Sequence, residues 1–382
     1  MTTRKQIVFT IAGAALLTAA AALPAEAEAA TEQAPAVRGK TVLSRVYTVD
    51  QLYKSMKGPA STQNVELGEG GEAELMWITG YEAVMVGADG ESSMAQEFMC
   101  HSNLDVNVGS HREAVGSTHG FNPRLFTLSQ GQLKVEFPEG FGIPVLSSES
   151  LGLTTQVLNH NLEGQTFEVR HRVTVHYVRD GEAGEMKALF PVGAYGLALL
   201  EGEDGYFGVQ DPTEEQHGPG CLPGSNASGH TYRDHLGRTF TGHWVVPPGR
   251  EVNRTLVTEL MQIPYDSTVH YIAVHLHPFA ESLELRDLTA GTTVFKSAAD
   301  NFDGKIGLAN VEYFASPEGL PLYKEHEYEM VSVYHNTTEE PQDSMAVMYL
   351  YLHDKVFDKE RVKLAAEPEP LAKGMTSVDG SR

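Results

Sequence analysis

The chain has 382 residues, only two cysteines and a formal net charge of −23 at pH 7. This excess of acidic side chains repels nucleic acid and anionic membrane surfaces, so neither is expected as a partner. Some 350 residues remain beyond the first thirty, which is more than one ordinary core, and this length predicts two domains, residues 40–204 and 205–357.

Residues 1–30 have the pattern of an export signal. A basic start with Arg4 and Lys5 precedes an apolar run, and the sequence PAEAEAA offers small-residue cleavage sites. We expect this segment to be removed and the mature protein to be periplasmic or secreted. Its retention as a membrane anchor is the alternative, and no other membrane contact is expected.

The remaining sequence favours strands over helices. Short alternating or apolar runs, bounded by turn residues, recur at 168–178, 243–249, 269–276, 328–335 and 345–353. This pattern predicts an all-β protein built from two tandem antiparallel jelly-roll β-sandwich domains.

Three further segments complete this organisation. One short helix is predicted at residues 49–56, and a long loop rich in glycine and proline at residues 208–237. The charged tail at residues 358–382 is predicted to be disordered.

The two cysteines, Cys100 and Cys221, allow two interpretations. An exported protein usually keeps its cysteines oxidised, which favours a single disulfide. Cys100 is adjacent to His101, however, and the alternative is a free thiolate near a metal. The sequence leaves both open.

The stretch AVHLHPF places His275 and His277 one residue apart in a predicted strand. Residues i and i+2 of a strand project from the same face, so the two imidazoles lie side by side at about 7 Å. Their apolar neighbours would make unpartnered imidazoles costly. A metal site is the hypothesis, and two histidines that merely share a strand face are the alternative.

A later strand, MAVMYLYLH, adds a sulfur donor. Its alternation places Met345, Val347, Tyr349 and Tyr351 on one face. A methionine in a strand is usually core filler. Together with two imidazoles, however, a thioether makes a donor set that suits copper in both oxidation states.

Three segments in order, HWVVPPGREVN, VHYIAVHLHPF and DSMAVMYLYL, resemble the C-terminal domain of the ascorbate-dependent type II copper monooxygenases. This is the family of peptidylglycine alpha-hydroxylating monooxygenase and dopamine beta-monooxygenase. The resemblance implies that His275, His277 and Met345, rather than Met348, bind the copper that activates oxygen. It also implies hydroxylation of a C–H bond with an external reductant such as ascorbate.

The N-terminal half resembles the same family more weakly, through EFMCHSNLDV, TTQVLNHN and VRHRVTVHYV. That family holds a second, electron-relaying copper there with a His-His pair and a third histidine. In this sequence Cys100 replaces the first histidine and leaves His101, while Leu158 stands at the third position. His160 lies two residues on and shares its strand face, so the predicted second copper site is His101 with His160.

The substrate positions also depart from the family. Its arginine, asparagine and tyrosine, which hold a peptide carboxylate, correspond here to Ala273, Val347 and Tyr349. Only Tyr349 is kept, as an expected substrate contact. A peptide carboxylate is therefore not expected, and the small-molecule or peptide substrate stays unidentified.

Other histidines receive ordinary structural interpretations. His243 is expected to be a packed strand-edge residue, His335 a hydrogen-bonded strand end, and His270 to face away from His275 and His277. Nucleophile-elbow, zinc-helix and phosphate-loop motifs are missing from the sequence, so a hydrolase is not expected. The alternatives to an enzyme are a copper-binding protein for storage, delivery or sensing, and a recognition module without metal.

Overall fold

The computed structural model describes residues 36–201, 206–209 and 231–366, without the side chains of 363–366. These residues belong to one compact unit. The predicted export signal, most of the predicted loop 208–237 and Cys221 lie outside the described residues.

Strands dominate the described chain. The first twelve are β1 (Arg38–Leu43), β2 (Tyr47–Val49), β3 (Ala60–Glu66), β4 (Leu75–Gly87), β5 (Met99–Asp105), β6 (Arg124–Leu128), β7 (Lys134–Glu136), β8 (Phe141–Leu146), β9 (Ser150–Val157), β10 (Phe167–Arg179), β11 (Lys187–Tyr195) and β12 (Ala198–Glu201).

The second twelve are β13 (Thr231–Arg233), β14 (Thr239–Thr241), β15 (Trp244–Val246), β16 (Gly249–Leu256), β17 (Ser267–Leu276), β18 (Ala280–Asp287), β19 (Thr292–Asn301), β20 (Leu308–Val311), β21 (Phe314–Leu322), β22 (Tyr328–Asn336), β23 (Gln342–Ser344) and β24 (Ala346–His353). The α-helices of the described residues are α1 (Val108–Val115), α2 (Thr258–Met261) and α3 (Lys359–Ala366).

The strands form one large sheet with smaller sheets packed around it. The large sheet has the order β1-β10-β4-β8-β11-β24-β17-β21, with β2 beside β10 and β7 beside β4. The next two sheets are β16-β22-β18-β19-β20 and β3-β9-β5-β6, and two short sheets are β12-β14-β13 and β15-β23. Strand pairing is antiparallel except where β8 meets β11. The prediction of an all-β sandwich protein is confirmed.

Strands β17 and β24 form a wall between two hydrophobic cores. Because side chains alternate along a strand, the odd-numbered residues from Val347 to Tyr351 pack with the N-terminal strands. The even-numbered residues from Ala346 to Leu352 pack with the C-terminal strands. Each fully buried side chain of this size contributes about 1.5–3 kcal/mol, so the wall is firmly anchored on both faces.

The large sheet joins strands from both predicted domains, because β11 pairs with β24 over Leu189–Tyr195 and Val347–His353. The division at residue 204 stays a prediction. Among the described residues, no helix has the length and apolar character needed to cross a membrane.

The helix predicted at residues 49–56 is wrong. Val49 ends β2, which pairs with β10, and the chain then runs through bends and turns. Met56 has a φ of 63°, a left-handed conformation in which a right-handed helix does not continue.

The tail predicted to be disordered from residue 358 begins with a helix, α3. Its Val362 is fully buried in a cluster with Trp77 and Val115. Lys359 lies 2.6 Å from the carboxylate of Asp180. The surface that receives Val362 is assembled only by the folded chain, so the polar composition of the tail did not reveal it. Residues 367–382 lie outside the described residues.

Candidate metal centre

The His-x-His pair ends β17 inside the protein. His275 is 5% exposed and His277 is 4% exposed, and their ring centroids lie 5.3 Å apart with planes at 88°. When two imidazoles bind one metal ion at about 2.1 Å and at a tetrahedral angle, their ring centroids lie roughly 5 Å apart. The observed spacing therefore fits two ligands of one ion.

The Nδ1 atoms of the two rings lie near different polar side chains. His275 Nδ1 lies 3.0 Å from the hydroxyl oxygen of Ser129, and His277 Nδ1 lies 3.3 Å from a carboxylate oxygen of Asp343. Metal-binding histidines commonly have such a partner on the nitrogen that does not hold the metal. The contact with Ser129 leaves Nε2 of His275 for a metal, whereas Nδ1 of His277 has no aligned hydrogen-bond partner.

Met345 lies at the same strand end. In the ladder of β17 with β24, His275 is opposite Val347 and Leu276 is opposite Ala346, and continuing this register sets His277 opposite Met345.

Tyr334 links the ends of the two strands at this point. Its buried hydroxyl accepts a hydrogen bond from the His277 backbone N–H at 3.4 Å and donates one to the Met345 carbonyl at 2.5 Å. The fold thus brings the three predicted residues together from two strands.

A cavity of about 520 Å³ opens beside this centre. His275, Met345 and Tyr349 line it, and its wall also includes aromatic and polar residues, namely Phe121, Tyr195, Tyr232, Asn103, Asn122 and Arg124. This size and mixture are typical of a site for a small organic molecule. Tyr349, the expected substrate contact, makes an edge-on ring contact with Tyr195 at 6.4 Å.

The His275 and His101 rings are held in the neutral form. Burial lowers the pKa of His275 well below 6.5, and neighbouring His277, His101 and His243 lower it further. Burial, with contributions from Arg124 and nearby histidines, lowers the pKa of His101 to about 3. Neutral imidazole is the form that binds a metal, so these side chains need not lose a proton first.

The two N-terminal candidates lie near this centre. His101, in β5, lines the large cavity, and its pKa responds to His277 and His243. His160 lines a small cavity with Asp343, and burial lowers its pKa to about 4, with a further contribution from His277. No group of three close metal-binding side chains in the described part of the chain contains His101 or His160. A copper site on this pair stays a prediction.

Cys100 is a free and buried thiol. It lies at an irregularity of β5, between Met99 and His101 in the ladder with β9, with its sulfur 4.0 Å from a side-chain oxygen of Gln156. Burial raises the pKa of the thiol to about 12, so Cys100 is protonated rather than a thiolate. Its proposed disulfide partner, Cys221, lies outside the described residues.

Two residues of the centre were missed by the sequence interpretation. The ring centroid of His243 lies 5.5 Å from that of His277. One ligand atom from each of His243, His277 and Asp343 lies within 4.8 Å of the others. A histidine next to a tryptophan at a strand start, and an aspartate in a short strand, carry no signal of this proximity, since both are common.

His270 and His335 are separate from the centre. His270 hydrogen-bonds to Thr268 at 2.8 Å and to the Ser316 carbonyl at 3.1 Å. His335 lies in β22 with a half-exposed side chain, 3.5 Å from Glu281. Neither is part of the candidate metal centre.

No protein-family model and no curated protein matches this chain. Among solved structures it is similar to the STIV MCP, with a TM-score of 0.29 and 9% identity over 81% of this chain and 97% of that chain. It is also similar to the major capsid protein P2 from bacteriophage PM2, with a TM-score of 0.28 and 8% identity over 83% of this chain and 100% of that chain. Scores this low carry no argument, so the all-β assignment rests on the strands themselves.

Proposed function

We propose that this protein is an exported copper-dependent monooxygenase that hydroxylates a C–H bond of a small organic molecule. The observation that carries the proposal is the paired arrangement of His275 and His277. The hydrogen bond between His275 Nδ1 and Ser129 leaves Nε2 of His275 for a metal, His277 lies beside it, and Met345 lies at the same strand end beside a cavity.

The donor set fits copper. Two buried imidazoles serve Cu(I) and Cu(II), and a thioether favours Cu(I), so a site that cycles between the two states benefits from both. Bound copper would supply the binding and activation of O2. The overall reaction consumes O2, two electrons and two protons, with the reductant as electron source, and yields the hydroxylated product and water.

The residues of the chain prepare this chemistry. Ser129 holds the ring of His275 through Nδ1, and Tyr334 fixes the separation of His277 from Met345. The cavity beside them gives a substrate a partly apolar wall, and Tyr349 offers a hydroxyl for orientation. Fixed ligands and a positioned substrate lower the entropy cost of reaching the reactive geometry.

A non-catalytic copper-binding protein for storage, delivery or sensing is the second candidate. One observation favours it: His101 and His160, which the family resemblance assigns to an electron-relaying copper, belong to no close ligand group of the described residues. A protein with one buried copper and no relay would bind the metal without turnover.

The two candidates separate in one experiment. Copper-loaded protein is mixed with ascorbate, and O2 consumption is followed for the wild type, His275→Ala and the control His335→Ala. The enzyme predicts ascorbate-dependent O2 uptake that His275→Ala removes and His335→Ala retains. Stoichiometric copper binding without O2 uptake supports the binding protein instead. Absence of copper binding overturns both.

A further inference from the structure

Three donor atoms, one of them a ring nitrogen of His277, lie close together beside the proposed copper site. His277 contributes a ring nitrogen, Asp343 a carboxylate oxygen and His243 a ring nitrogen, all within 4.8 Å of one another. His277 is 4% exposed, while His243 and Asp343 are partly buried. None of the sequence motifs predicted this grouping.

His277 Nδ1 and Asp343 Oδ2 are 3.3 Å apart but are not aligned for a hydrogen bond, and neither atom has another hydrogen-bond partner. An unpartnered buried nitrogen and carboxylate oxygen are costly, by roughly 1–3 kcal/mol each. Two ligands at about 2.0–2.1 Å from one ion, at a tetrahedral angle, lie about 3.3 Å from each other. The spacing is that of two ligands of a shared cation.

The backbone holds the three residues in place. Asp343 is in β23, which pairs with β15 through Val245, and His243 immediately precedes β15. His277 follows β17, and its backbone N–H donates to Tyr334. Because two ladders and a buried hydroxyl fix the main chain, the cluster is preorganised rather than a chance meeting of flexible side chains.

We propose that His243, His277 and Asp343 form a second metal site for a divalent first-row cation such as Zn²⁺ or Cu²⁺. Two nitrogens and a carboxylate oxygen, with no sulfur, favour divalent ions over Cu(I), and three protein ligands leave a coordination position open. This inference rests on the proposed function in one respect: His277 uses Nε2 for the copper beside Met345 and Nδ1 for the second ion. A ring that binds two ions releases its N–H proton.

The test uses the full chain, stripped of metal. Zn²⁺ is the probe of the new site. Cu(I), measured by anaerobic competition with a chelator, is the probe of the proposed copper site that includes Met345. We expect His243→Ala and Asp343→Asn to weaken Zn²⁺ binding by more than about 100-fold, beyond the roughly 10–100-fold typical of an outer-shell partner. Met345→Leu should weaken Cu(I) alone, and His277→Ala should weaken both. Asp300→Asn and His335→Ala, exposed residues elsewhere, are the matched controls.

The outcomes are distinguishable. Zinc binding that survives both His243→Ala and Asp343→Asn, or that disappears with His101→Ala instead, overturns the second site. If zinc follows the expected pattern but Cu(I) binding does not depend on Met345, the second site stands and the proposed function falls. Thermal unfolding of each stripped variant separates ligand loss from misfolding, and His243→Gln provides a milder replacement that must show the same zinc defect.

Discussion

Ser129→Ala is the most direct perturbation of the proposed copper site, because Ser129 touches the ring of His275 without being a ligand. Its hydroxyl lies 3.0 Å from Nδ1, and the residue is only 4% exposed. When the ring N–H donates to this oxygen, the lone pair is on Nε2, the nitrogen that would hold copper. Removal of the hydroxyl leaves both the tautomer and the ring orientation unfixed.

The expected loss follows from this single contact. Outer-shell partners of metal-binding histidines are worth about 10–100-fold in affinity, or about 1.4–2.7 kcal/mol. Ser129→Ala should therefore weaken Cu(I) binding by that factor, measured by anaerobic competition with a chelator. Zn²⁺ binding at His243, His277 and Asp343 should stay unchanged, since Ser129 contacts none of them.

The control is Ser147→Ala, which removes another buried hydroxyl, one that accepts a backbone N–H from Glu74 at 3.0 Å. Ser147 is not part of the cavity lining, so its loss should affect folding stability alone. The reasoning is refuted if Ser129→Ala binds Cu(I) as tightly as the wild type, or if Ser147→Ala weakens it equally.

Three further outcomes are expected. Tyr334→Phe removes the partner of the buried His277 N–H and of the partly buried Met345 carbonyl, and it should lower the free energy of unfolding by about 2–4 kcal/mol in urea titrations. An unchanged midpoint contradicts the bridging role. His171 is fully buried with both ring nitrogens unpartnered, and burial lowers its pKa to about 3. Its contribution to the free energy of unfolding is complete above pH 6.5 and should be lost as the pH falls toward 3, by up to about 1.4 kcal/mol per pH unit. His171→Leu should show a smaller dependence of the free energy of unfolding on pH. The same dependence in the variant and the wild type between pH 5 and 6.5 would contradict this role of His171. Burial raises the pKa of Glu251 to about 6 from 4.5, so stability should fall as the pH rises between these values and stay lower above them. The free energy of unfolding of Glu251→Gln is compared with that of the wild type at pH 4 and at pH 7.5. The difference, variant minus wild type, should be about 2 kcal/mol larger at pH 7.5 than at pH 4. The same difference at both pH values would contradict the ionisation of a buried Glu251.

Much of the proposed metal centre was accessible from the sequence because strand alternation is a local property. The alternation assigned His275 and His277 to one face, and it separated Val347 from Met348 correctly, as the two cores on either side of β24 confirm. That Met345 belongs with the histidines came only from the family resemblance. The ladder between β17 and β24 then gave this pairing a physical basis.

Other features needed contacts between segments far apart in the chain. Residues 49–56 were predicted as a helix, but Val49 instead ends a strand that pairs with β10. Helix α3 was not predicted, and its Val362 packs in the cluster around Trp77. Composition and periodicity report only what a segment prefers by itself. Where that preference is weak, the neighbouring elements decide.

The sequence by itself determined the all-β class and the shared face of His275 and His277, since both follow from residue type and the two-residue period of a strand. Only the tertiary structure decided which side chains approach from elsewhere: Ser129 at one ring, and Asp343 and His243 at the other. The reason is that a metal centre is defined by distances of a few ångströms between side chains, and sheet pairing sets those distances with almost no trace in the local sequence.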